Sequence, residues 1–286
     1  MNPCEKWVKE VARLSRAGKK LPLGGIRPRR LPPLPPNAAK VLILSPHPDD
    51  ECIIGGLPLR LRREARMEVT NVAVTLGSKK SRREERWKEL EAACAHLGFR
   101  LRATASSGLE QITLESRKQN RVLWNRAVKI ISTIIAETKP RVILLPHNDD
   151  GHAAHIGTHF LVLDALKKMP RSFACWVVET EFWRAMAAPN LMVESSVRDV
   201  GELVTALSCH AGEVRRNPYH LLLPAWMQDN VRRGAELVGG SGAKAPDFLF
   251  ATLYRLRFWG AGQLKVTEVG GHTLSSAANP GKLFRK

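Results

Sequence analysis

The 286-residue chain reads as an α/β protein, Rossmann-like, with a mostly parallel sheet and helices on both faces. Three observations predict this class. Apolar runs such as Val41-Leu42-Ile43-Leu44 and Val142-Ile143-Leu144-Leu145 have the length of buried strands. Segments with helically spaced apolar residues separate them, and strands alternating with helices imply parallel pairing. Polar clusters, His47-Pro48-Asp49-Asp50-Glu51 and residues 146–159, follow directly on those two runs. Ligands bind beyond the carboxyl ends of strands in such sheets, so both clusters fall where a site would be built.

The elements follow in order. Residues 5–17 form a short amphipathic helix, with Trp7, Val8, Val11 and Leu14 at helical spacing. Residues 21–36 are too rich in proline and glycine for helix or central strand, and read as an arm wrapping the surface. The main domain starts near Ala39, with a strand over 41–45. A helix over 57–65 follows, since Gly55-Gly56 loosens its entry and Pro58 suits a first turn. Residues 69–75 are the next strand, and a charged helix over 82–96 closes at Leu97-Gly98. A helix over 121–137 stops before Pro140, and strand 142–145 leads into helix 156–168 and strand 174–179. Beyond 197 the pattern predicts a helix over 200–210 and a strand over 248–258, and is ambiguous over 219–226. Glycine, serine and asparagine after Gly260 predict a flexible tail. The expected organisation is thus a helix and arm (1–38), a catalytic domain (39–260) and a tail (261–286).

Composition narrows the function. A hydrophobic fraction of 44% with 25% charged residues describes an ordinary soluble protein. No apolar stretch approaches the roughly 18 residues of a membrane span, and no compact secretory signal opens the chain. Five dispersed cysteines without a Cys-x-x-Cys pair predict free thiols, hence a cytoplasmic location. The net charge of +18 favours anionic partners. Aromatic residues make up only 6%, which leaves few stacking platforms and argues against a nucleic-acid partner.

The two clusters supply metal-ligand chemistry. A catalytic zinc site takes three protein ligands and leaves a fourth position for water. His47 and Asp50, stiffened by Pro48, can turn toward one point, and a distant histidine (His152, His155 or His159) would complete the set. Asp49, beside Asp50, is the natural general base, and Glu51 can hold a ligand in place from behind.

Residues 41–56, Val-Leu-Ile-Leu-Ser-Pro-His-Pro-Asp-Asp-Glu-Cys-Ile-Ile-Gly-Gly, resemble the signature of the LmbE-like (PIG-L) zinc deacetylases. Gly151-His152-Ala153-Ala154-His155 is similar to the family's Gly-His-x-x-His. Thr75-Leu76-Gly77, the segment around Arg86 and a later histidine, His210, also resemble the pattern, so the likeness runs over about residues 40–210. The resemblance implies hydrolysis of the acetyl group of an N-acetylated amino sugar. It implies zinc, or another divalent metal such as iron(II), on His47, Asp50 and His155. It gives Asp49 the base, His152 the oxyanion or the leaving amine, and Arg86 and His210 the substrate. The charge suits an anionic amino-sugar substrate. Two departures stand out: Ala153-Ala154 where many members carry Pro-Asp, and His210-Ala211-Gly212-Glu213 where the family has His-x-Ser-Gln. Two other readings stay open: hydrolysis of another bond at the same metal, and a non-enzymatic binder of anionic polymers.

Overall fold

The computed structural model describes residues 2–267 and 271–285. The first half runs α1 (Pro3–Gly18), β1 (Lys40–Ser45), α2 (Asp50–Ile53), α3 (Gly56–Arg63), β2 (Glu68–Ala73), α4 (Arg83–Leu97) and β3 (Arg100–Ala103). It continues with α5 (Leu114–Gln119), α6 (Arg121–Thr138), β4 (Val142–Pro146), α7 (Ala153–Leu166) and β5 (Cys175–Thr180). Then come β6 (Leu191–Glu194), α8 (Val197–Ser208), α9 (Ala211–Arg216), α10 (Tyr219–Leu237), β7 (Ala251–Gly260), β8 (Gln263–Val266) and β9 (His272–Leu274).

β1 is central because it is apolar on both faces. Val41 and Ile43 join a core with Leu57, Leu90 and Leu203. Leu42 and Leu44 point the other way and pack with Ile131, Ile135 and Leu161. Alternate residues feeding two cores require helices on both sides of the sheet, as the sequence predicts. The strand order is β3-β2-β1-β4-β5-β7-β6-β9, with β8 on β7. β3 through β5 are mutually parallel, whereas β7 is antiparallel to both β5 and β6. The chain moves outward from β1 through β2 to β3, then returns to place β4 on the other side of β1. The order therefore reverses between β1 and β4, which opens a crevice at their carboxyl ends.

Local chemistry sets most boundaries. Gly98 ends α4 in a left-handed conformation. Ser196 and Asp199 form a capping box that starts α8. α7 starts three residues before the expected position, because His152 caps it: His152 Nδ1 accepts from the Ala154 N–H at 3.2 Å. The ambiguous 219–226 segment is the first part of a 19-residue helix that carries Pro224 inside it. The arm lies along the domain, with Gly24 N–H donating to Ser208 Oγ and Arg29 pairing with Glu202.

The stretch after Gly260 needs correction. Instead of a flexible tail it carries β8 on β7, β9 on β6, and a final turn that buries Phe284. β8 turns back on β7 as a hairpin and β9 borrows the edge of β6, about eighty residues earlier, so the composition of the stretch conceals it. Residues 268–270 and Lys286 lie outside the described residues.

Candidate active site

The chain leaving β1 folds back on itself within five residues. His47 N–H donates to Asp50 Oδ2 at 2.7 Å, which aims the Asp50 carboxylate back under the His47 turn. Asp49 sits between them at φ 111°, a left-handed conformation that costs a non-glycine residue about 1–3 kcal/mol. Its N–H donates to Glu51 Oε2 at 3.0 Å, and Glu51 Oε1 accepts from His210 Nε2–H at 2.8 Å. A buried carboxylate–imidazole hydrogen bond thus braces the strained turn.

At the end of β4 the support is longer-range. His155 lies on the first turn of α7, and its Nδ1–H donates to Asp150 Oδ2 at 2.5 Å. The other Asp150 oxygen accepts from the backbone N–H groups of Phe182 (2.9 Å) and Arg184 (3.3 Å), in the loop after β5. With its proton held on Nδ1, the Nε2 lone pair of His155 faces the β1 turn.

The two strand ends meet across the crevice. His155 Nε2 lies 3.2 Å from His47 Nδ1 and 3.5 Å from Asp50 Oδ1, and His47 Nδ1 lies 3.9 Å from Asp50 Oδ2. A nitrogen of His152 joins those of His47 and His155, all within 4.8 Å of one another. Tetrahedral zinc with ligand bonds near 2.0–2.1 Å separates its ligand atoms by roughly 3.3 Å. Asp50 Oδ1 is buried and has no hydrogen-bond partner, which is costly for a carboxylate oxygen unless a cation takes that place. The donor set and this orphaned oxygen both fit a divalent metal. A second group, Glu51, Cys52 and His210, is equally close, but these side chains hydrogen-bond one another.

The electrostatics follow from burial. Desolvation pushes Asp49 well above the usual carboxylate range; Asp50 adds to the rise and Arg86 opposes it. Burial also raises Asp50, to about 6. It lowers His47 strongly, with His155, His152 and Arg86 acting in the same direction. His152 is lowered by burial and by His155. For His155, burial is outweighed by Asp50 and Asp150, so its pKa rises. Asp150 resists burial through hydrogen bonds with His147 and His155 and falls to about 2.

An open cleft of about 630 Å³ covers the cluster, with His47, Asp49, Arg86 and His152 in its wall. Arg86 donates from Nη2 to the Pro48 carbonyl at 3.0 Å. Gly77, at φ +85°, makes room for it, since a Cβ there would collide with the guanidinium. His210 departs from its expected place: it is fully buried behind Glu51 and does not line the cleft. His159 is also set apart. Its Nδ1–H donates to the Pro146 carbonyl at 2.9 Å, one helical turn beyond His155. Sequence reasoning missed Asp150, although asking what orients His155 points to a neighbouring carboxylate. It also missed Trp183, whose half-exposed ring stacks on His152 with centroids 5.4 Å apart. Nothing local marks that tryptophan.

Residues 42–166 match the PIG-L family, described as GlcNAc-PI de-N-acetylase. No curated protein matches the chain. Among solved structures, the conserved protein TT1542 from Thermus thermophilus is 17% identical, with a TM-score of 0.56 over 75% of this chain and 92% of that one. The N,N'-diacetylchitobiose deacetylase from Pyrococcus horikoshii is 16% identical, with a TM-score of 0.55 over 77% and 84%. GalB, the 4-carboxy-2-hydroxymuconate hydratase from Pseudomonas putida KT2440, is 14% identical, with a TM-score of 0.56 over 76% and 95%. At these identities the likeness establishes the fold, and that fold hosts a hydratase as well as a deacetylase. The segment that matches the PIG-L family model holds every residue of both strand-end clusters.

Proposed function

We propose that this protein is a metal-dependent hydrolase that removes the acetyl group from an N-acetylated amino sugar or its conjugate. The observation that carries the reading is the convergence of His47, Asp50 and His155, with Asp50 Oδ1 left unpaired among them. These three residues would hold the cation. Two imidazoles and a carboxylate suit zinc and also iron(II). A cation there supplies Lewis-acid polarisation of the acetyl carbonyl and acidifies water.

The protein's own groups account for the proton traffic. His152 Nδ1 accepts from a backbone N–H, so the neutral ring carries its proton on Nε2. That tautomer donates a hydrogen bond and cannot coordinate through Nε2. The geometry thus supports His152 as donor to the developing oxyanion and as the acid for the leaving amine. Asp49, buried in the cleft wall with its pKa raised, suits removal of a proton from the attacking water. Arg86 secures the Pro48 carbonyl and limits the rise of Asp49, and Trp183 offers a flat ring beside His152 for the substrate. Lys80, Arg83 and Arg216 on the cleft suit an anionic group on the substrate. The five dispersed cysteines, with no Cys-x-x-Cys pair among them, suit a reducing, cytoplasmic setting.

Metal analysis of the purified protein, paired with acetate and phosphate release from acetylated amino-sugar and phosphoester substrates, tests the reading. One bound divalent ion per chain and metal-dependent acetate release are expected. Phosphate release without acetate release overturns the bond assignment. Full activity after chelation overturns the metal.

A further inference from the structure

α1 contributes nothing to either core. None of its residues is buried. Trp7, Val8, Val11 and Leu14 are 46–68% exposed, and on a 3.6-residue helix they form one continuous stripe. Lys6, Lys9, Arg13 and Arg16 occupy the opposite side, and Lys19 and Lys20 follow at once. Over residues 5–20 there are six basic residues against two acidic ones. Exposed Leu21 and Ile26 lie just beyond.

An apolar stripe carrying tryptophan, opposed by a lysine- and arginine-rich face, is the pattern of a helix lying in a bilayer interface. Charge decides between the partners that could cover such a stripe. Two copies of a chain with net charge +18 repel each other, whereas anionic headgroups attract it. We propose that α1 is an interfacial helix that docks this protein on an anionic lipid surface. Its stripe enters the headgroup–acyl boundary and its cations face lipid phosphates. Among the described residues no helix is long and apolar enough to cross a membrane, so the attachment is peripheral. Gly18 at the helix end meets the Leu221 side chain of α10, and Tyr219, two residues earlier, lines the cleft. The docked helix is thereby tied beside the rim of the cleft.

The test is co-sedimentation of the full chain with phosphatidylcholine vesicles and with vesicles that also contain phosphatidylglycerol. Binding is expected only to the anionic vesicles, weakening as salt is raised. The double substitution Val11→Asp/Leu14→Asp should lower the bound fraction at least about tenfold. Its melting temperature should not change, because those side chains support no core. Three results overturn the proposal: no sedimentation with either vesicle, equal binding by the variant, or a dimer that the same substitution splits. The second would assign binding to diffuse charge, and the third would assign the stripe to a second copy. The readout is lipid binding, so it stands apart from whether the hydrolase reading holds.

Discussion

The two strand ends that build the site are held in different ways. After β1, His47, Asp49 and Asp50 are neighbours, and the bond that aims Asp50 spans three residues. After β4, His155 depends on Asp150, and Asp150 is pinned by backbone groups more than thirty residues further on. The first end is a turn that makes its own geometry. The second is an assembly that needs the β5 loop in place. Even the first end leans on the rest of the fold for its strain, because Glu51 holds the Asp49 N–H and is itself held by His210, 159 residues away. Local sequence sets which ligands are near, while the tertiary frame sets their protonation.

Removing a converging ligand should have the largest effect. His155→Ala should abolish both metal retention and activity, read by elemental analysis and acetate release, since one β1 histidine and one carboxylate make a poor site. Retained metal would shift the ligand role to His152. Asp49→Asn probes the β1 side: kcat should fall about 10²- to 10⁴-fold with metal content unchanged. Loss of the metal as well would make Asp49 a ligand and remove it as the base.

Asp150→Asn removes the long-range support. Metal affinity should fall about 10- to 100-fold, measured by competition with a chelating dye. The metal-free protein adds a pH signature. Asp150 is held at about 2, against an ordinary value of 3.8, so its contribution is complete above that ordinary value and is lost as pH falls through about 2. The unfolding free energies of wild type and variant should differ by about 2 kcal/mol near neutrality, and converge near pH 2. A gap that persists at pH 2 would mean that the effect is packing. Trp183→Ala should be the mildest change, raising KM about 2- to 10-fold with kcat and metal content unchanged. A fall in kcat alone would instead make the ring a support for His152.

Much of this frame is legible in the sequence. β1 and β4 announce themselves as apolar runs because buried parallel strands are apolar on both faces. Their polar sequels are conspicuous for the same reason. β3 escapes notice because it is a half-exposed edge strand with two arginines in four residues, and only β2 beside it gives it an identity. β8 and β9 are hidden in the same way, as short edges completed by β7 and β6. His210 illustrates the limit at the site. Its position in the chain suggests the substrate, yet folding places it behind Glu51, where no pattern of neighbours could reveal it.

Residue order alone settles the parts that depend on periodicity and adjacency. These are the α/β class, the central strands, the five-residue turn with its histidine and carboxylates, and the histidines opening α7. They are local because a strand's burial pattern repeats every second residue and a turn closes within a few bonds. Which histidine keeps a free lone pair, which carboxylate oxygen stays unpaired and where Arg86, Trp183 and His210 stand are set by groups far apart in the chain. Those outcomes rest on desolvation and hydrogen bonds that exist only once the sheet has assembled.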